Sequence, residues 1–178
     1  MSAKKISQQD MKMGRIHRCG NCEAKCDDTY KALGFTNSWG QRTKITDYYF
    51  CCQDCEKYFV REKQRPIFEN NIAFYNETIP RMMEELKDSL KRGKIPCFFE
   101  TIRYFKLMKR AKEMLLSQEH TYAEVAVAFL KARDVALALS EELQDEKNKK
   151  YGVIEYKYVI EDAKVCDDMM NGGIQAWF

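Results

Sequence analysis

Histidine occurs twice, at His17 and His120, and proline three times, at Pro66, Pro80 and Pro96, in 178 residues. So little histidine excludes the His-rich catalytic metal sites. It also excludes a carboxylate di-iron bundle, which takes Glu-x-x-His pairs from facing helices. The acidic group Glu155, Glu161, Asp162, Asp167 and Asp168 is therefore read as a solvated helix face. The eight glycines never gather into a phosphate-cradling loop, and no nucleophile elbow is present. No apolar run approaches the length needed to cross a bilayer. Met1 to Gly14 is polar and Lys-rich, without the apolar centre of a secretory signal. These absences argue against an enzyme acting alone, a small-molecule substrate and a membrane partner. They predict a cytoplasmic, reducing setting.

Cysteine, by contrast, is abundant: there are eight. In a reducing compartment such residues are metal ligands or buried thiols more readily than disulfides. The charge is uneven although the net value is only +3. Residues 1–66 carry 13 basic against 8 acidic side chains, and residues 121–178 carry 7 against 11. Thiolates on a metal would roughly halve the basic excess.

Six of the cysteines fall in two groups: Cys19, Cys22 and Cys26, then Cys51, Cys52 and Cys55. Zn²⁺ takes four soft ligands in a tetrahedron, and two short cysteine pairs supply them. Gly20, between the first two cysteines, suits a turn whose backbone amides face sulfur. In the second group the spacing allows two pairs. Cys52 and Cys55 have the two-residue knuckle interval; Cys51 and Cys55 have the i, i+4 interval of one helix face. Cys26 could replace Cys19 or Cys22, His17 could reach the ion, and the same thiolates could hold an iron–sulfur cluster. Thr46, Tyr48, Tyr49 and Phe50 have the bias of a strand. That strand, Thr43 to Cys51, would place Cys51 at its end and Cys55 on the first turn of a following helix.

The run Tyr48-Tyr49-Phe50-Cys51-Cys52-x-x-Cys55-x-x-Tyr58-Phe59 resembles the Phe-Cys-Ser-x-x-Cys-x-x-x-Phe signature of the TRASH, YHS and MYM (FCS) group of small treble-clef-like zinc domains. The resemblance covers about residues 15–65. It implies that Cys51 and Cys55 are ligands, that Cys52 stands where serine is usual, and that Cys19 and Cys22 complete a site for one structural Zn²⁺. The gap from Cys22 to Cys51 is longer than is usual in that group.

Beyond Pro66 the pattern is helical. Apolar residues from Phe68 to Lys91 recur at helix spacing, and Pro80 predicts a kink or two shorter helices. Gly93 to Pro96 is a breaker. A second helix is expected over Phe98–Ser117. Thr121 and Glu124 read as a capping box opening a third, with Val125, Phe129, Ala132, Ala136, Leu139 and Leu143 inward. Asp145 to Lys150 reads as solvated. A last helix from Val153 should stop at Gly172 and Gly173. Cys97 and Cys166, on apolar stretches, read as core thiols.

The organisation expected is a flexible basic arm over 1–14, a four-cysteine zinc module over 15–65 and an α-helical domain over 66–178. The fold class is mainly α: a small zinc-stabilised treble-clef-like α+β module followed by a helical bundle or hairpin. Function is expected to be non-catalytic, as an adaptor or accessory subunit docking on a protein partner. Amphipathic helices and Met82, Met83, Met169 and Met170 as surface contacts suit that role. Nucleic-acid binding is the alternative, carried by Lys4, Lys5, Lys12, Arg15, Arg18, Arg42, Lys44, Arg61, Lys63 and Arg65. Metal sensing or delivery is the third, with Cys26 and Cys52 as exchange ligands.

Overall fold

A computed structural model describes residues 16–38, 41–89, 97–142, 166–167 and 169–178. The chain is mainly α with a small sheet module, and it divides into two compact units. The first extends to Ile67 and includes Trp177; the second runs from Phe68 to Ala176 and includes Phe178. No helix among the described residues is long and apolar enough to cross a membrane.

In the first unit, strands β1 (His17–Arg18) and β2 (Lys25–Cys26) pair antiparallel. Strands β3 (Tyr30–Ser38) and β4 (Gln41–Phe50) form an antiparallel hairpin, with Tyr30 opposite Phe50 and Thr36 opposite Lys44. The register shifts between Thr36 and Ser38. Sequence periodicity anticipates β4 but not β3, whose Gly34 interrupts the strand pattern. Gly34 has a packing purpose. A Cβ there would run into the Tyr48 ring and stand 3.2 Å from Phe59, so the missing side chain is the space the tyrosine fills. Tyr48 and Phe50 both pack on Phe59, at centroid distances of 4.6 and 5.2 Å. Phe50, Phe59, Val60 and Ala32 are buried around them.

Helix α1 (Gln53–Tyr58) follows β4 and runs through a π-helical stretch, Phe59–Gln64, into α2 (Arg65–Ser89). Pro66, beyond which the helical pattern was expected, lies at the second position of α2. Proline lacks the N–H that an α-helical bond would use, and its ring crowds the preceding turn. The wider turn directly before it relieves that crowding. Pro80 likewise lies inside α2 without dividing it into two helices. Pro80 and Asn76, whose carbonyl loses its partner, are both exposed, so water can satisfy that oxygen.

The second unit contains α3 (Phe98–Ser117) and α4 (Tyr122–Glu142), close to the sequence expectation and packed on each other. Ala111, Ala132 and Ala136 are wholly buried; small residues let helix backbones approach. Tyr104, Met108, Leu115, Val125, Phe129 and Leu139 fill the core. The capping box forms as read: Thr121 N–H donates to the Glu124 carboxylate at 2.8 Å, and Glu124 N–H donates to Thr121 Oγ1 at 3.4 Å. Cys97 and Cys166 are buried core thiols.

Two expectations are corrected in this unit. Met82 and Met169 are buried rather than on the surface, at 3% and 2% exposure, because each occupies the inward stripe of its segment. Gly172 and Gly173 do not end the helical backbone. Met169–Gly173 is π-helical and Ile174–Trp177 continues as 3₁₀, anchored by wholly buried Ile174. Residues 1–15, the Gly93–Pro96 breaker, the Asp145–Lys150 run and the start of the last helix lie outside the described residues.

Candidate metal centre

The first half of the centre is a turn. Cys19 N–H donates to Ala24 O at 2.8 Å and Glu23 N–H to Cys19 O at 3.0 Å, closing the chain between β1 and β2. Glu23 takes a left-handed φ of 61° to make the return. Gly20 N–H donates to Tyr49 O at 2.9 Å, which pins the turn to β4. A Cβ on Gly20 would stand 3.0 Å from the Tyr48 ring and 3.3 Å from that of Phe50, so glycine permits this approach. The second half is the exit from β4. Cys51 follows its last residue, Cys52 is the extended N-cap of α1, and Cys55 lies in the helix's first turn.

Folding brings Cys19, Cys22, Cys51 and Cys55 together, with all four sulfurs within 4.8 Å of one another. Cys22 and Cys51 Sγ are 3.5 Å apart, Cys51 and Cys55 3.6 Å, and Cys55 and Cys22 3.9 Å. A tetrahedral ion with metal–sulfur bonds of about 2.3 Å separates its ligand sulfurs by about 3.8 Å. These three separations lie on either side of that edge, and Cys19 Sγ lies within 4.8 Å of each of the three sulfurs, so the group could hold one metal ion. Cys26 and Cys52 stand outside the group, although Cys52 Sγ is 3.9 Å from Cys51 Sγ.

The electrostatics suit a cation. Burial opposes ionisation of Cys19, but the backbone groups of Cys22, Cys51 and Asn21 outweigh it and bring the thiol down to about 6. Cys51 moves the opposite way, because hydrogen bonding to Cys22 and Cys55 keeps its proton in place. Sulfurs this close cannot all carry negative charge without a positive centre among them. Asn21 Nδ2 adds a donor 3.6 Å from Cys55 Sγ. Cys26 is raised by its burial and then by the charge of Cys19, Asp27 and Cys22.

The remaining residues singled out in sequence are placed differently. His17 stacks on Tyr49, with ring centroids 3.4 Å apart and planes 5° from parallel, and is outside the sulfur group. Tyr58 is exposed. Arg61 Nη2 donates to Trp177 O at 3.0 Å, and Lys63 Nζ donates to Gly20 O at 3.3 Å, bracing the cysteine turn. Arg18 is exposed and Arg65 half-buried. Arg42 and Lys44 lie on β4, with side chains outside the described set. Lys4, Lys5, Lys12 and Arg15 precede the described residues. Asn21 and the bracing role of Lys63 carried no sequence signal, since both depend on contacts more than 30 positions away.

No family model matches the chain, and neither a curated protein nor a solved structure matches it.

Proposed function

We propose that Cys19, Cys22, Cys51 and Cys55 hold one structural Zn²⁺ in a treble-clef-like module of the TRASH, YHS and MYM type. The chain then acts in the reducing cytoplasm as a non-catalytic adaptor or accessory subunit of a larger protein assembly. The observation that carries the reading is the four-sulfur group and its separations. An iron–sulfur cluster would place several metal and sulfide atoms between the thiolates, and sulfurs this close leave room for one ion only. Four thiolates also fill the coordination sphere, leaving no position for water or substrate. The ion therefore serves the fold, and function falls to the surfaces.

Those surfaces favour a protein partner. Phe74 and Phe99 are 53% and 59% exposed in the helical unit, and aromatic side chains in water commonly mark interfaces. The nucleic-acid reading is weaker, because Arg61 and Lys63 are engaged with backbone carbonyls. Elemental analysis of purified chain should return about one zinc per molecule and no sulfide. A Phe74→Ser/Phe99→Ser variant should keep that zinc and its helicity while losing the protein recovered with the wild-type chain from its host. Zinc-free protein would overturn the metal assignment. Salt-sensitive binding of a single-stranded oligonucleotide, with no protein recovered, would replace the adaptor role.

A further inference from the structure

A cavity of about 290 Å³ opens beside the centre, lined by Ile16, Lys25, Cys26, Asp27 and Cys51. Its size is at the lower end for ligand sites, which suits an amino-acid-sized molecule. One wall is Cys51, an exposed member of the sulfur group, whereas Cys19 is buried. Around the same cavity, Lys25 offers a cation and Asp27 an anion. Asp27 Oδ1 accepts a hydrogen bond from Thr29 N–H at 2.9 Å, which orients the carboxylate. The cavity is poorly built for a second metal. Among the described residues the only close group of donors is the four-cysteine one, and Lys25 repels a cation.

We propose that this cavity admits a zwitterionic low-molecular-weight thiol of the cysteine type, whose sulfur displaces Cys51 from the metal. The ligand's carboxylate meets Lys25, its ammonium meets Asp27, and its thiol is directed at the one metal-binding sulfur that the cavity exposes. The exchange balances without an oxidant. With an ion held by Cys19, Cys22, Cys51 and Cys55, the incoming S–H would pass its proton to the Cys51 sulfur as the ligand's sulfur took that position. No electrons are transferred, and the charge at the ion is unchanged. The inference rests on the zinc assignment above. It adds a route by which the ion can be exchanged with the small-thiol pool.

The test uses the zinc-loaded full chain and a coloured zinc chelator to follow release in L-cysteine, D-cysteine and L-cysteine methyl ester. The two enantiomers have the same thiol acidity and the same chelating atoms, so a chance encounter treats them alike. Release should saturate with L-cysteine, differ between the enantiomers and weaken with the ester. Lys25→Gln and Asp27→Asn should each raise the half-saturating L-cysteine concentration about two- to fivefold, the range that loss of one exposed ion pair gives. Both variants should leave release without thiol unchanged, since both side chains are exposed. Rates that rise linearly and equally with both enantiomers, in wild type and variants, would overturn the proposal. A chain that holds no zinc would overturn the metal assignment instead.

Discussion

Cys22 and Cys51 stand 29 positions apart in the chain, yet their sulfurs lie 3.5 Å apart. One leaves a turn that Gly20 N–H fastens to Tyr49 O; the other leaves the strand that carries Tyr49. The centre thus depends on the β3–β4 hairpin, which returns the chain from the first cysteine group to the second.

Cys51 and Cys52 are neighbours with opposite expected behaviour. Cys51 Sγ contacts the sulfurs of both Cys22 and Cys55, whereas Cys52 is the extended helix N-cap outside the group. Cys52→Ser should retain zinc and fold, and Cys51→Ser should lose both. Zinc content of the two single variants, measured side by side, decides between them; loss in Cys52→Ser with retention in Cys51→Ser would reverse the assignment.

Cys55→Ser should unfold the first unit and leave the second largely helical. A structural zinc ion supplies on the order of 10 kcal/mol of folding free energy in small modules. The second unit has its own buried core from Phe68 to Ile174. Circular dichroism with limited proteolysis reads the outcome. Loss of all helicity would mean that the two units fold as one.

Gly34→Ala should destabilise the first unit by about 1–3 kcal/mol, because overpacking forces rings or backbone to shift. The added methyl meets the Tyr48 ring and then Phe59. Chemical denaturation of the zinc-loaded protein measures this. A Tyr48→Leu change made in the same chain should recover part of the loss.

Phe129→Ala should cost about 3–5 kcal/mol, since the side chain is wholly buried. Val127, two positions earlier, is 48% exposed, and Val127→Ala should change stability by less than about 0.5 kcal/mol. Urea unfolding of the pair tests whether α4 buries the face assigned to it.

The capping box should impose a pH dependence. Hydrogen bonds from the Thr121 backbone and hydroxyl lower the Glu124 carboxyl below its usual 4.5. A carboxylate lowered in the folded state contributes stability above its unfolded value and loses it as pH falls through the folded one. The melting-temperature difference between wild type and Glu124→Ala should shrink as pH falls below about 4.5. A difference that persisted at pH 2 would show that the contribution is not electrostatic.

The helices and the cysteine spacing were legible for the same reason: both are set by neighbours in sequence. Thr121 and Glu124 are three positions apart and cap α4 without help from the rest of the chain. Cys51 and Cys55 lie four apart, across one strand-to-helix junction. Strand β3 was not legible, because Gly34 reads as an interruption until the ring of Tyr48 is placed over it. Pro80 does not divide α2 into two helices, one of the two outcomes its position allowed. Proline disfavours a helix locally, but the π-helical turn before Pro66 and the exposed carbonyl four residues before Pro80 remove most of that penalty.

By itself, the sequence determined that this protein carries two cysteine groups of metal-binding spacing and a helical body. Only the tertiary structure decided which four sulfurs meet. That choice turns on distances of a few ångströms between segments some 30 residues apart, set by a hairpin register, a glycine against Tyr48 and the extended N-cap of α1. Spacing along the chain limits which sulfurs can share an ion, and packing selects among them.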